Sequence, residues 1–592
     1  MSWLSSLLCS IVLCQYAYGG HYKNLYGSKP FENSLLNIVS TTAGFAEFAT
    51  EGERFMFAEP PDRTPRNGDK FDFIVVGAGT AGATIAGRLS EVPDARVLLI
   101  EAGRSENLVM DIPLIVNYLQ FSNDINWKYR TEPSDYYCKG MDDKRCNWPR
   151  GKVMGGSSVL NYMIATRGDP RDYDRWAELG NQGWAWRDVL PYFKKLETMN
   201  IKKYESNTEE HNFDGPITLG YPDFHTPLAH AFIEAGVEMG YKTIDYNSGK
   251  QPVGFSYIQS NIKNGTRVSS SRAYLHPAKS RRNLIVTKNT LVSRVLFDRD
   301  NRRAIGVEYI KANRKYRVYA TKEVILSAGT IGSAQILMLS GVGPADHLRQ
   351  MNIKPILNLA VGENLMDHIA YGGLIFQVDE PVGIRQVDLA NPANPYISDY
   401  FFHRKGPLTI PGGCEALAFL DVDNPHDDKA YPNVELLFVS SSFATVSAVR
   451  YGFGIAQPVW NRTYSKLENT YTWTIYPILL RPKSRGRILL RSSNVNDKPK
   501  IIPNYMADKE DVRILVAGIR AALKVSQTGV MQQLGTKLFR ADLKGCEKLR
   551  EGSDEFWECA IRTITMNIYH YSGTCKMGPR DDPTAVVDSR LR

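Results

Sequence analysis

The stretch that decides the fold is "FDFIVVGAGTAGATIAGRLSEVPDARVLLIEAG", residues 71–103. Phe71 to Val76 is a short apolar run rich in β-branched residues, the pattern of a buried strand. Gly77, Gly79 and Gly82 follow with G-x-G-x-x-G spacing. Ala83, Ile85, Ala86 and Leu89 then recur on one helical face, and "ARVLLIE" reads as a second buried strand ending at Glu101.

Each piece has a physical task in binding a dinucleotide. Gly77 permits the tight turn, Gly79 lets the backbone approach a pyrophosphate, and Gly82 lets helix and strand pack closely. The free N–H groups and positive end of the helix attract phosphate. Thr80 and Ala81, inside the motif, join the three glycines as cofactor-binding candidates. Glu101 lies 19 residues after Gly82, placed to accept hydrogen bonds from ribose hydroxyls. A lone G-x-G-x-x-G is a weak signal, but here strand, turn, helix, strand and acid stand in the required order. An acid in that place suits FAD and NAD equally.

The next motif is "RGKVMGGSSVLNYMIATRGDPRDYD", residues 150–174. Gly151, Gly155 and Gly156, with Ser157 and Ser158, make a loop whose backbone could pass close to a flat ring or a pyrophosphate. Asn161 could donate or accept at the edge of such a ring. Taken alone, this is equally a tight turn before an irregular segment. The stretch resembles the first signature of the glucose–methanol–choline (GMC) family of FAD-dependent oxidoreductases. "SAGTIGSAQILMLSGVGP" (327–344) resembles the second, and "VGENLMDH" (361–368) follows as in that family. "RPKSRGRILLRSS", "IIPNYMADKEDV" and "YHYSGTCKMGP" are similar to its C-terminal segments. The resemblance runs from about residue 70 to the last residue.

It implies an α/β and α+β fold: a Rossmann-like FAD-binding domain beside a second domain built on an antiparallel sheet, the GMC fold. Gly77, Gly79, Gly82 and Glu101 would bind the ADP half of FAD. Val153, Ser157 and Asn161 would lie along the flavin and ribityl chain, and Val292, in "TLVSRVLFD", would meet the adenine through its backbone. Leu160 stands where some members tether the flavin through a histidine, so the FAD is expected to be non-covalent. Ala334 replaces the usual proline of the second signature, which would only punctuate a helix start.

The resemblance also implies the chemistry. Alcohol oxidation through a flavin needs a base for the hydroxyl proton while the α-hydride goes to flavin N5. Histidine, with an unperturbed pKa of ~6.5, suits that base. In this family the histidine of H-x-x-G-T-C faces the reactive edge, which here is His570 in "HYSGTC". The expected substrate is a small alcohol, and the expected acceptor oxygen or a quinone. The "NWKYRTEP" stretch and the Cys138–Cys146 neighbourhood most resemble an insect secreted branch of glucose dehydrogenase-like enzymes and oxidases of aromatic or terpenoid alcohols. The family usually places a second His or Asn beside the first, several tens of residues later, but this sequence stops at Arg592. A C-terminal truncation is therefore expected. The alternative reading is a catalytically impaired relic, or a protein that only binds flavin or a small molecule.

The other histidines suggest less. His368 in "NLMDH" reads as a structural residue or one supporting the site residues from behind, and His211, His225, His230, His276 and His403 as loop or surface residues. Neither H-E-x-x-H nor paired C-x-x-C occurs, so no metal is expected. Without G-x-S-x-G, a serine hydrolase is excluded.

At 592 residues the chain exceeds a single core, so two or more domains are expected. The net charge is +9 with no basic run of five, so nucleic acid is not an expected partner. No stretch after the first twenty residues is apolar for long enough to cross a bilayer, so neither is a membrane. Residues 1–20 read as a secretory signal peptide that lacks the usual basic start, with a buried N-terminal helix as the alternative. Residues 21–70 form a leader. Segments 71–200, 260–370 and 560–592 are assigned to the FAD-binding domain, with 201–259 and 371–559 assigned to the substrate side. Cys138/Cys146 and Cys546/Cys559 could form local disulfides, leaving Cys414 and Cys575 free. Sequons at Asn264 and Asn461 likewise favour export. "YTWTIYPILL" and "NVELLFVSSSF" read as antiparallel strands, and a helix follows Asp511. Tyr396, Tyr400, Phe401, Phe402, Phe438 and Phe443 could line a pocket or fill the sheet core.

Overall fold

The computed structural model describes residues 50–592 apart from 53, 56, 301, 302, 392, 393 and 428. The expected signal peptide, with Cys9 and Cys14, lies outside the described residues. The first sheet contains β1 (Lys70–Val76), β2 (Val97–Ile100), β3 (Leu284–Thr287), β4 (Thr290–Phe297), β5 (Ala304–Lys311) and β6 (Arg314–Leu326), in the order β3-β2-β1-β6-β5-β4. The first four in that order are parallel, and β5 and β4 extend them as antiparallel strands.

Continuous apolar character in β1 and β2 follows from burial on both faces. Ile74, Val76, Leu98 and Ile100 pack with Val292 and Val295 on one side. Val75, Val97 and Leu99 pack on the other against Ala83 and Ala86 of helix α1 (Thr80–Leu89). In register, Val76 stands beside both Ile100 and Leu326, and Thr287 beside Ile100. The carboxyl ends of four parallel strands therefore coincide, the edge where open α/β sheets bind ligands.

The second sheet is antiparallel, as expected. Its strands are β7 (Ile369–Tyr371), β8 (Ile375–Val378), β9 (Cys414–Leu420), β10 (Val434–Val439), β11 (Tyr471–Leu479), β12 (Lys537–Leu538) and β13 (Thr565–Asn567), together with Gly254–Tyr257. The main path runs β12-β8-β11-β10-β9 to Gly254–Tyr257, while β7 bridges β11 to β13. Helix α2 (Gly329–Leu339) follows β6, and helix α3 (Lys509–Ser526), capped by Asp508, covers β10 and β11. Val512, Ile514, Leu515 and Ile519 of α3 are buried, as their spacing requires.

Tyr400, Phe438 and Phe443 are fully buried, which makes them core rather than pocket wall, while Phe402 is exposed. Disulfides join Cys138 to Cys146 and Cys546 to Cys559, and Cys414 and Cys575 are free.

Candidate active site

The dinucleotide end is built by close backbone approach. Gly77 has φ +94°, and a Cβ there would lie 2.7 Å from the Ser327 carbonyl oxygen. A Cβ on Gly82 would lie 1.8 Å from the Gly77 oxygen. Both positions therefore exclude any side chain. Helix α1 begins at an N-cap glycine, Gly79, with no side-chain cap and no acidic residue in its first turn. Thr80 and Ala81 are exposed. The first-turn N–H groups are thus left for an outside acceptor.

Glu101, buried at the end of β2, accepts from the N–H of Ala78 and of Gly103, each at 2.8 Å. Burial pushes its pKa up to about 7, against the pull of those N–H groups. The loop of the second motif closes over the first: Gly155 N–H donates to the Ala78 carbonyl at 2.8 Å, and a Cβ on Gly156 would sit 2.6 Å from Gly79 Cα. Val153 is buried and bridged to Arg104. Ser157 Oγ accepts from Gly151 N–H. Asn161 is exposed, with its Oδ1 held by Met163 N–H and the buried Arg267 guanidinium. Val292 points its side chain into the sheet core, beside an irregularity in the β4–β5 ladder. Two residues earlier, Thr290 N–H donates to the Glu101 carbonyl, so β4 begins against the same loop.

His570 stands at a second centre joined to the first. Its backbone N–H donates to Asp367 Oδ1 at 2.9 Å, and Asp367 Oδ2 accepts from Tyr505 O–H. Met366 and Ser572 exchange backbone hydrogen bonds. Thr330 Oγ1 donates to the Tyr571 carbonyl, and Thr574 Oγ1 donates back to the Thr330 carbonyl, each at 2.7 Å. The H-x-x-G-T-C turn is thereby fastened between loop 361–368 and the start of α2. Tyr569 has φ +65°, a left-handed conformation uncommon for an aromatic residue, just before His570.

His570 is exposed, yet the protein packed around it drives its pKa down to about 3, first by desolvation and then by His368 and Arg150. Open surface restores part of the lost hydration, so the sense of the shift is what matters: the imidazole is neutral at pH 7. Asp367 moves the other way, burial raising it to about 8.

His368, read from the sequence as a structural residue or one supporting the site from behind, lies against His570. Its Nδ1 lies 3.1 Å from His570 Nδ1, and its Nε2 is 2.9 Å from the Leu480 carbonyl. Its position in "NLMDH", directly after Asp367, was the available signal. His211 also differs from expectation. It is buried between Glu197 and Asp245, 2.7 Å from each, because two carboxylates and Arg167 compensate its burial. Among the described residues, Glu59, Glu106 and His276 have ligand atoms within 4.8 Å of one another. Lys288 pairs with Glu59 and Arg272 with the neighbouring Asp111, so that cluster already contains its countercharges.

The GMC oxidoreductase family model matches residues 71–370 and 482–592. The chain belongs to the GMC oxidoreductase family. The chain is 40% identical over 526 residues to glucose dehydrogenase [FAD, quinone] of Drosophila melanogaster, covering 88% of this chain and 80% of that one. It is 34% identical over 537 residues to human mitochondrial choline dehydrogenase, covering 88% and 83%. Among solved structures, pyridoxine 4-oxidase from Mesorbium loti aligns with a TM-score of 0.72 at 27% identity, over 88% of this chain and 91% of that one.

This GMC chain is an FAD-dependent oxidoreductase. The uncapped α1 N-terminus, the side-chain-free contacts at Gly77 and Gly82, and the buried Glu101 carboxylate fit a dinucleotide's phosphates and ribose. The comparisons do not bear out the expected C-terminal truncation; the family match runs over residues 482–592.

Proposed function

We propose that this chain oxidises the CH–OH group of a small alcohol, an aromatic or terpenoid primary alcohol or a sugar, with oxygen or a quinone as the final acceptor. His570 takes the hydroxyl proton. The observation supporting this reading is the placement of His570: its ring is solvent-exposed beside His368, and its backbone is held by Asp367 and the α2 turn. FAD, when bound, supplies the acceptor for the α-hydride.

Gly77, Gly79, Thr80, Ala81, Gly82 and Glu101 hold the ADP half, Val292 meets its adenine through the backbone, and Val153, Ser157 and Asn161 lie along the flavin and ribityl chain. Leu160 is a buried hydrocarbon with no nucleophile, which supports non-covalent binding. The FAD-binding segments 71–200, 260–370 and 560–592, with the substrate segments between them, belong to the same proposal. So does secretion, supported by the two disulfides and by the exposed sequon residues Asn264 and Asn461. Among the described residues, no helix is long and apolar enough to cross a membrane.

The purified protein should show a flavin absorption band that bleaches anaerobically with an alcohol from a panel of benzylic, terpenoid and sugar substrates. Absence of the band, or a band that none of these bleaches, would favour the relic reading. His570→Ala should retain the band and slow bleaching by roughly 10²- to 10⁴-fold, the usual worth of a positioned base.

A further inference from the structure

We infer that His368 is a positioning residue that sets the tautomer of His570, using the Leu480 main-chain carbonyl as its reference. This deepens the proposed role of His570 and rests on it.

The reasoning starts at Leu480. A carbonyl oxygen can only accept, so the 2.9 Å contact to His368 Nε2 requires the hydrogen to sit on Nε2. Desolvation lowers the His368 pKa, with Arg481 adding to the fall against the raising effects of the Leu480 bond and Asp172. A neutral imidazole with its hydrogen on Nε2 has a bare lone pair on Nδ1. The 3.1 Å contact between the two Nδ1 atoms then has one available donor, His570 Nδ1–H. His570 is also neutral, so its Nε2 is left as a lone pair. That is the atom a base needs. The rings meet edge to face, at 78° and 5.2 Å between centroids, an orientation that lets an in-plane N–H of one meet the other's edge.

The same atoms explain why a bare histidine would not suffice. Free neutral imidazole distributes between two tautomers, and only one presents Nε2 as acceptor. His368 itself touches neither substrate nor cofactor in this scheme. It acts through His570, as a buried orienting group does in other base-dependent enzymes.

The test uses full-length protein with ring-15N histidine. Long-range 1H–15N spectra distinguish the two tautomers, and His570→Asn assigns the resonance by its loss. The expected result at pH 7 is a neutral His570 with the proton on Nδ1, together with a neutral His368 carrying its proton on Nε2. His368→Gln keeps an amide N–H for Leu480 and a carbonyl oxygen for His570, so it should preserve the His570 tautomer and flavin reduction within about threefold. His368→Phe provides neither group, and should mix or invert the tautomer and slow reduction on the order of 100-fold. A His570 found with its proton on Nε2 in the unmodified protein overturns the inference, whatever the variants do. So does an unchanged tautomer in His368→Phe. Failure of the oxidoreductase reading would appear separately, as no alcohol-dependent bleaching alongside an intact spectrum of the two histidines.

Discussion

At Gly573 a Cβ would come within 2.2 Å of the Asn364 carbonyl oxygen, and φ is +95°. Only glycine satisfies both conditions. Gly573→Ala should therefore push the H-x-x-G-T-C turn off loop 361–368 and cost about 2 kcal/mol or more, combining left-handed strain with overlap. A fall in Tm and slower flavin reduction in the same preparation would show it, and an unchanged Tm would mean the turn is looser than its contacts indicate. Asp367 is the complementary case. Its two oxygens hold the His570 N–H and the Tyr505 O–H, both donors inside the protein. Asp367→Leu strands both, at about 1–3 kcal/mol each, whereas Asp367→Asn keeps one carbonyl acceptor. The leucine variant should be the less stable in thermal melts by a clear margin, and the asparagine variant should retain measurable flavin reduction.

The start of α1 can be tested as an element. Gly82 has the Gly77 carbonyl where its Cβ would go, so Gly82→Ala must shift the helix away from β1. The uncapped N–H groups would then no longer converge on one phosphate. The expected outcome is purified protein with a much lower ratio of flavin to protein absorbance, rescued in part by added FAD. A normal ratio would remove this turn from cofactor binding. That element was readable because its parts are close in sequence: strand, turn, helix and acid fit within 71–103. The antiparallel strands and α3 were readable for the same reason, since their periodicity is local. Pairings across long separations were not. His368 lies 202 residues from His570, and its Leu480 partner 112 residues from it, so no spacing rule joins them. His211 looked like a loop residue because Glu197, Asp245 and Arg167 come from separate segments.

Across the whole molecule, the buried groups with raised pKa values give stability one direction with pH. The lowered imidazoles of His225, His276, His368 and His570 act the other way, losing their contribution only as pH falls below the unfolded value of ~6.5. Desolvation lowers the His211 pKa, but the hydrogen bonds it donates to Asp245 and Glu197 outweigh that and raise the value to about 9. Its contribution is complete below the unfolded value of ~6.5 and disappears as pH rises through about 9. Burial raises Glu101, Glu415 and Glu435 to about 7 and Asp367 to about 8. Those raised carboxyls have the same sign: their stabilisation is complete below the unfolded carboxylate range of ~4 and is lost through pH 7–8. Asp245 opposes them. Desolvation raises it, but hydrogen bonds from His211 and Gln259 bring it below normal, so its contribution is lost only as pH falls through that lowered value. The net charge of +9 shrinks toward the pI of 8.9, which favours the folded state at high pH. That effect acts between exposed charges and is screened within ~8 Å at physiological salt, so the buried groups dominate. Tm measured at 0.15 M salt should therefore peak on the acid side of neutrality and fall steadily from pH 6 to pH 9.5. His211→Gln should lower the peak and flatten the fall between about pH 6.5 and 9, because the folded variant lacks the proton that His211 holds across that range. A Tm that instead rises toward the pI would assign the balance to surface repulsion and not to the buried groups.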